Sequence, residues 1–136
     1  YSWKELYRDP LVAWLPKDHP KAKQKTYRIK DLETEEFIHT LPGQDTDQDR
    51  LIKQEGLKLK TRFTTKDGFT TYQLVKAGLG VSFNQAMIAQ DWKGDVVQLP
   101  LTPPRFVSLG LALPKQKPTS PAVQRFLKCM EAEISD

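Results

Sequence analysis

Residues Lys60–Gln85 read KTRFTTKDGFTTYQLVKAGLGVSFNQ, and this stretch decides the fold class. Leu59, Thr61 and Phe63 alternate with Lys60, Arg62 and Thr64, the period of a half-buried strand. Thr65-Lys66-Asp67-Gly68 then breaks the strand, with Asp67 placed to cap a helix. Tyr72, Val75 and Leu79 keep helical spacing, Gly78 supplies a left-handed stop, and Gly80-Val81-Ser82-Phe83 begins a second strand. Strand, crossover helix and strand so close together imply an α/β fold with a parallel pair. Ligands of such sheets sit at the carboxyl ends of the strands. Here those ends are Thr64-Thr65-Lys66-Asp67 and Asn84-Gln85.

Outward from this unit, two apolar runs end in proline: Leu11–Leu15 before Pro16, and Phe106–Leu113 before Pro114. Both read as buried strands. Tyr27–Leu32 is predicted as a helical turn with Ile29 and Leu32 inward, and Glu36–His39 as a strand running into a turn at Thr40–Gly43. Asp45–Glu55 is predicted as a thinly apolar helix on the surface, stopped by Gly56. Asn84 is expected to cap a short helix over Gln85–Gln90, and Val96–Leu99 to form a strand before a stiff connector at Pro100, Pro103 and Pro104. Ser120 caps a last helix with Pro121 in its first turn and Val123, Phe126, Leu127, Met130 and Ile134 along one stripe.

The composition narrows the function classes. A 38% apolar and 28% charged chain of 136 residues is an ordinary globular one, and no apolar run reaches bilayer length. The net charge of +4 is scattered, without the clustered cations of a nucleic-acid face. A single cysteine, Cys129, points to a reducing, cytoplasmic setting. Gly80-Val81-Ser82-Phe83-Asn84 misses the hydrolase elbow by its last glycine, and Ser82 falls inside a strand. Asp45, Asp47 and Asp49 open like a calcium loop, but Arg50 and Gly56 stand where glycine and glutamate are required. His19, His39 and Cys129 lack metal-ligand spacing. No catalytic residue, metal or cofactor is therefore expected.

Several blocks together carry a family resemblance. Leu11–Pro20, with its closing His19-Pro20, resembles the strand and turn of LysR-type transcriptional regulators. Asp31-Leu32 with Phe37-Ile38, Leu74–Val81 and Leu99-Pro100-Leu101 resemble further blocks in the same order. The resemblance implies a type 2 periplasmic-binding-protein-like domain, its two lobes joined by crossover strands, with a small effector bound in the cleft. Residues 1–16 would be a first-lobe and hinge strand, 17–104 the second lobe, and 105–136 the return strand and final helix. It also implies effector contacts at Thr64, Thr65, Lys66 and Asp67, with His39, Thr40, Phe69 and Asn84 on the same rim. Hydroxyls, free N–H groups and a cation suit a small anion or carboxylate. The chain is then the sensing fragment of a longer regulator whose DNA-binding part lies elsewhere, and exposed apolar surface should favour self-association. The alternatives weighed are a transport solute-binding protein and a small hydrolase.

Overall fold

The computed structural model describes residues 1–115 and 120–135. The strands are β1 (Ser2–Pro16), β2 (Tyr27–Arg28), β3 (Glu36–Thr40), β4 (Lys60–Thr65), β5 (Ser82–Gln85), β6 (Val96–Thr102) and β7 (Phe106–Leu113). The α-helices are α1 (Asp47–Glu55), α2 (Gly68–Lys76) and α3 (Pro121–Ser135), and a 3-10 turn spans Ile29–Thr34. The chain divides into two compact units: Tyr1–Asp9 with Ser108–Asp136, and Pro10–Val107.

In the 10–107 unit, β1 is the central strand. It pairs antiparallel with β5 (Val12 opposite Asn84) and with β6 (Val12 opposite Pro100). Its alternation divides the core in two. Leu11, Ala13 and Leu15 join Tyr27, Ile29, Leu32, Phe37 and Phe83 on one face. Val12 and Trp14 join Ile38, Tyr72, Val75 and Ala89 on the other. Burial on both faces is why this run is continuously apolar. β6 runs on to Thr102 through Pro100, so the expected connector is mostly strand. Its parallel pairing with β2 begins only at Leu101, which keeps the missing proline N–H clear of that ladder.

The expected β4–β5 neighbour pair does not form, because β3 lies between them. β3 pairs parallel with β4, and its other edge bonds Val81: Ile38 N–H to Val81 O at 2.9 Å and Val81 N–H to Glu36 O at 2.8 Å. Phe37 and Ile38 are wholly buried and hold that central place. Gly80 permits the close approach, since a Cβ there would lie 2.7 Å from Glu36 O.

Two helix expectations are corrected. α1 starts at Asp47, with Asp45 at φ 54° and Thr46 as the cap, its Oγ1 accepting from Asp49 N–H. It lies on the surface of the unit as expected, burying Gln48 and Leu51 while Arg50, Lys53 and Gln54 stay exposed. No helix follows Asn84: β5 continues through Gln85, and turns cover 86–91. The Asn84 Oδ1 accepts from the adjacent Gln85 N–H at 2.8 Å.

In the other unit, the N-terminal part of β1 pairs with β7, and Ser120 Oγ accepts from Val123 N–H at the start of α3. Gly110 lies against the β1 backbone, where a Cβ would meet Lys4 O at 2.2 Å. Lys4 and Glu131 form an ion pair. The α3 stripe is only partly covered: Val123, Leu127 and Met130 are half-buried and Phe126 is exposed, while the Ile134 side chain lies outside the described residues. Among the described residues, no helix is long and apolar enough to cross a membrane.

Candidate functional site

The carboxyl ends of β3, β4 and β5 converge with the first turns of α1 and α2, as parallel strands with crossover helices require. Thr40 ends β3 and Thr65 ends β4. Between them stands Thr71, on the inner face of α2 with Tyr72 and Val75. The Thr71 hydroxyl lies 2.6 Å from the Thr40 hydroxyl and 2.6 Å from the Thr65 hydroxyl. The Thr65 hydroxyl donates on to Asp67 O at 3.1 Å. All three threonines are buried. The result is a chain of hydroxyls that ties two strand ends to one helix.

Gln48 makes the matching tie for α1. Its Oε1 accepts from Thr40 N–H at 2.9 Å, while its Nε2 donates to Ser82 Oγ at 2.9 Å and to Phe83 O at 2.6 Å. Ser82 Oγ in turn donates to Ile38 O at 2.8 Å. One buried amide thus joins α1 to β3 and β5, with every partner satisfied. Ser82 has no exposed surface and both its hydrogen-bonding roles are occupied, so it offers no nucleophile.

The expected site residues fall into two groups. Thr40, Thr65 and Asn84 come together: Thr40 and Asn84 line a pocket of about 120 Å³ with Thr46, Asp47 and Gln48, and Thr65 joins Thr40 through Thr71. Thr64 and Lys66 are exposed beside them. The others are engaged locally. Asp67 caps α2, its carboxylate accepting from Thr70 N–H at 2.7 Å and from the Thr70 hydroxyl at 3.0 Å. Those bonds, with Phe69 N–H, hold its carboxyl below the usual range. Phe69 is 54% exposed and meets Trp92 edge-on at 5.3 Å. His39 lies against Phe37, and its Nε2 is 2.7 Å from Asp49 Oδ1. Burial acts to raise the Asp49 carboxyl, but the His39 hydrogen bond and charge and the Gly43 and Thr46 N–H groups outweigh it and hold the carboxyl low.

The other acids opening α1 are also occupied. Asp45 and Asp47 pair with Arg50, and Asp47 Oδ2 further accepts from Gln85 Nε2 at 2.5 Å. Among the described residues, no group of three His, Cys, Asp or Glu side chains is placed to hold a metal. Apolar patterning does not mark Gln48 or Thr71, and the sequence presents Asp47 only within a failed calcium-loop match. A signal for Gln48 was present: Thr46-Asp47-Gln48-Asp49 is a capping-box pattern that puts Gln48 in the first turn of α1.

The fold and this arrangement can be set against known proteins. The family profile for the LysR substrate binding domain matches residues 1–135. The chain belongs to that family. The LysR domain here is 30% identical over 126 residues to the HTH-type transcriptional regulator CatR of Pseudomonas putida, covering 90% of this chain and 43% of CatR. It resembles the crystal structure of HinK, a LysR family regulator from Pseudomonas aeruginosa, with a TM-score of 0.79 at 21% identity over 98% of this chain and 48% of that one. It also resembles the CcmR regulatory domain of Synechocystis PCC6803 in complex with 2-PG, with a TM-score of 0.74 at 20% identity over 99% of this chain and 67% of that one. Its fold is the α/β, type 2 periplasmic-binding-protein-like fold of LysR effector-binding domains. The chain spans less than half the length of the curated relatives it matches.

Proposed function

We propose that the 10–107 unit is the second lobe of a LysR effector-binding domain and one wall of its effector cleft. The observation behind this reading is the convergence of Thr40, Thr65 and Asn84 with two helix starts at one end of the parallel strands. Lys66, exposed beside them, supplies a cation for an anionic or carboxylate end of the effector, with Thr64 next to it. His39, Asp67 and Phe69 shape the rim, His39 and Asp67 through their bonds to the helix starts. The complex of CcmR with 2-PG is consistent with a small ligand in this fold.

In the parent regulator, effector binding favours one lobe arrangement over another and thereby alters how the DNA-binding heads are spaced. The chain acts as a cytoplasmic sensor that self-associates, and not as an enzyme. The test is a thermal-shift screen of small metabolites on the whole regulator, since specific binders raise stability. A compound that stabilises the unaltered protein is expected to lose most of its effect in Lys66→Ala and Thr40→Val. Equal stabilisation of both variants would sink the assignment.

A further inference from the structure

The pocket bounded by Thr40, Thr46, Asp47, Gln48 and Asn84 has a polarity that can be read from its hydrogen bonds. Three hydroxyls, of Thr40, Thr71 and Thr65, own three protons, and the chain ends at Asp67 O, which can only accept. Every bond is made only if Thr40 donates to Thr71, Thr71 to Thr65, and Thr65 to the carbonyl. A Thr71 donation to Asp67 O, at 3.4 Å, leads to the same result at Thr40. In both patterns the Thr40 proton is spent on Thr71, so the hydroxyl of this pocket-lining residue has only lone pairs left to offer.

The other lining groups agree. Gln48 spends both ends of its amide on the protein. Asp47 is a carboxylate, and the five lining residues include no cation. The positive end of the α1 dipole would favour an anion, but Asp47 and Asp49 already supply negative charge in that first turn. The donor on offer is the Asn84 amide, because its Oδ1 is held by Gln85 N–H and its Nδ2 is left to donate. About 120 Å³ corresponds to a few water volumes at ~30 Å³ each, room for a group of a few heavy atoms.

We propose that this pocket receives a neutral hydroxyl-bearing end of the effector, its O–H donated to Thr40 Oγ1 and its oxygen accepting from Asn84 Nδ2, and that it rejects a carboxylate. The assignment rests on the sensing role proposed above and adds to it. The effector then carries an alcohol at this end, apart from any anionic group at Lys66.

Matched probes, 1,2-propanediol and propionate, test this in a nitrogen-15 titration of the chain. Propanediol is expected to shift the Thr40, Gln48 and Asn84 resonances saturably, and propionate to leave them in place. Thr40→Val is expected to weaken the diol about fivefold to tenfold, the worth of one hydrogen bond. Should that variant not fold, the half-exposed Asp47→Asn decides: removing the charge is expected to let propionate shift the same resonances. Unaltered diol binding in folded Thr40→Val, or continued exclusion of propionate by Asp47→Asn, overturns the proposal. Propionate binding as well as the diol in the unaltered chain overturns the hydroxyl assignment but leaves a ligand site, and the sensing role, standing. Silence of these resonances to both probes overturns the pocket and the sensing role at this end together.

Discussion

The two units contain similar apolar sequence and bury it very differently. Among the described residues, every buried hydrophobic side chain belongs to the 10–107 unit, from Leu11 to Leu101. In the other unit Trp3, Tyr7 and Phe126 are 58%, 47% and 54% exposed. The strand run Phe106–Leu113 and the α3 stripe have the same patterning as buried elements, yet they are covered on one side only. Patterning therefore tells which face is apolar, and burial depends on a second layer to cover that face. We expect the stability of the chain to reside in the 10–107 unit.

Truncation of a side chain in each unit gives the largest test of this contrast. Trp14→Ala removes a wholly buried ring that packs against Tyr72 and Trp92, and should cost roughly 3–5 kcal/mol in urea unfolding. Phe126→Ala should change stability by only about 0.5 kcal/mol or less, the usual effect at an exposed position. Equal losses would break the comparison.

Next in size is Gln48→Leu, which leaves Thr40 N–H and Phe83 O without their buried partner. A loss of about 2–3 kcal/mol is expected, with faster amide exchange at Thr40. In the other unit, Gly110→Ala forces a Cβ onto Lys4 O and should cost about 1–3 kcal/mol of local strain. Its signature is accelerated exchange confined to β7 and the N-terminal part of β1.

Acid should weaken the well-packed unit through two paired carboxyls. The Lys21 hydrogen bond, opposed by burial and aided by Arg28, holds the Asp31 carboxyl low, and Asp49 is held low beside His39. Carboxyls whose folded pKa lies below the unfolded value of about 3.9 stabilise fully above that pH and lose the contribution as pH falls through the folded value. Unfolding curves measured from pH 6 downward should therefore show stability declining only below about pH 4. The smallest effect is on association. Exposed Trp3, Tyr7 and Phe126 should give weak, concentration-dependent self-association in sedimentation, reduced by Phe126→Asp.

Much of this fold could be read from local rules. Asp67 as cap, Gly56 and Gly78 as helix stops, and Ile29 and Leu32 as inward residues each follow from one residue's own chemistry, and the structure has them all. The order of strands could not be read this way. Whether β4 neighbours β5 depends on β3 inserting between them, a contact between residues some forty apart in sequence. Of the candidate site, the strand ends were visible as polar stops. The hydroxyl chain was not, because Thr71 is indistinguishable from Thr70 until the helix face is known: one is wholly buried, the other exposed.

The aromatic contacts of the core also give the chain a built-in optical label. Trp14 is sealed among Tyr72 and Trp92, with centroids 5.5 Å and 6.2 Å away, whereas Trp3 is open to solvent. Emission from Trp14 belongs at the short-wavelength end and that from Trp3 at the long-wavelength end. Tyr72, 5.1 Å from Trp92, should pass its excitation to the indoles and stay dark. A single unfolding scan read at two colours would then follow each unit by its own light, and Phe69, edge-on to Trp92, brings the first turn of α2 within reach of the same signal.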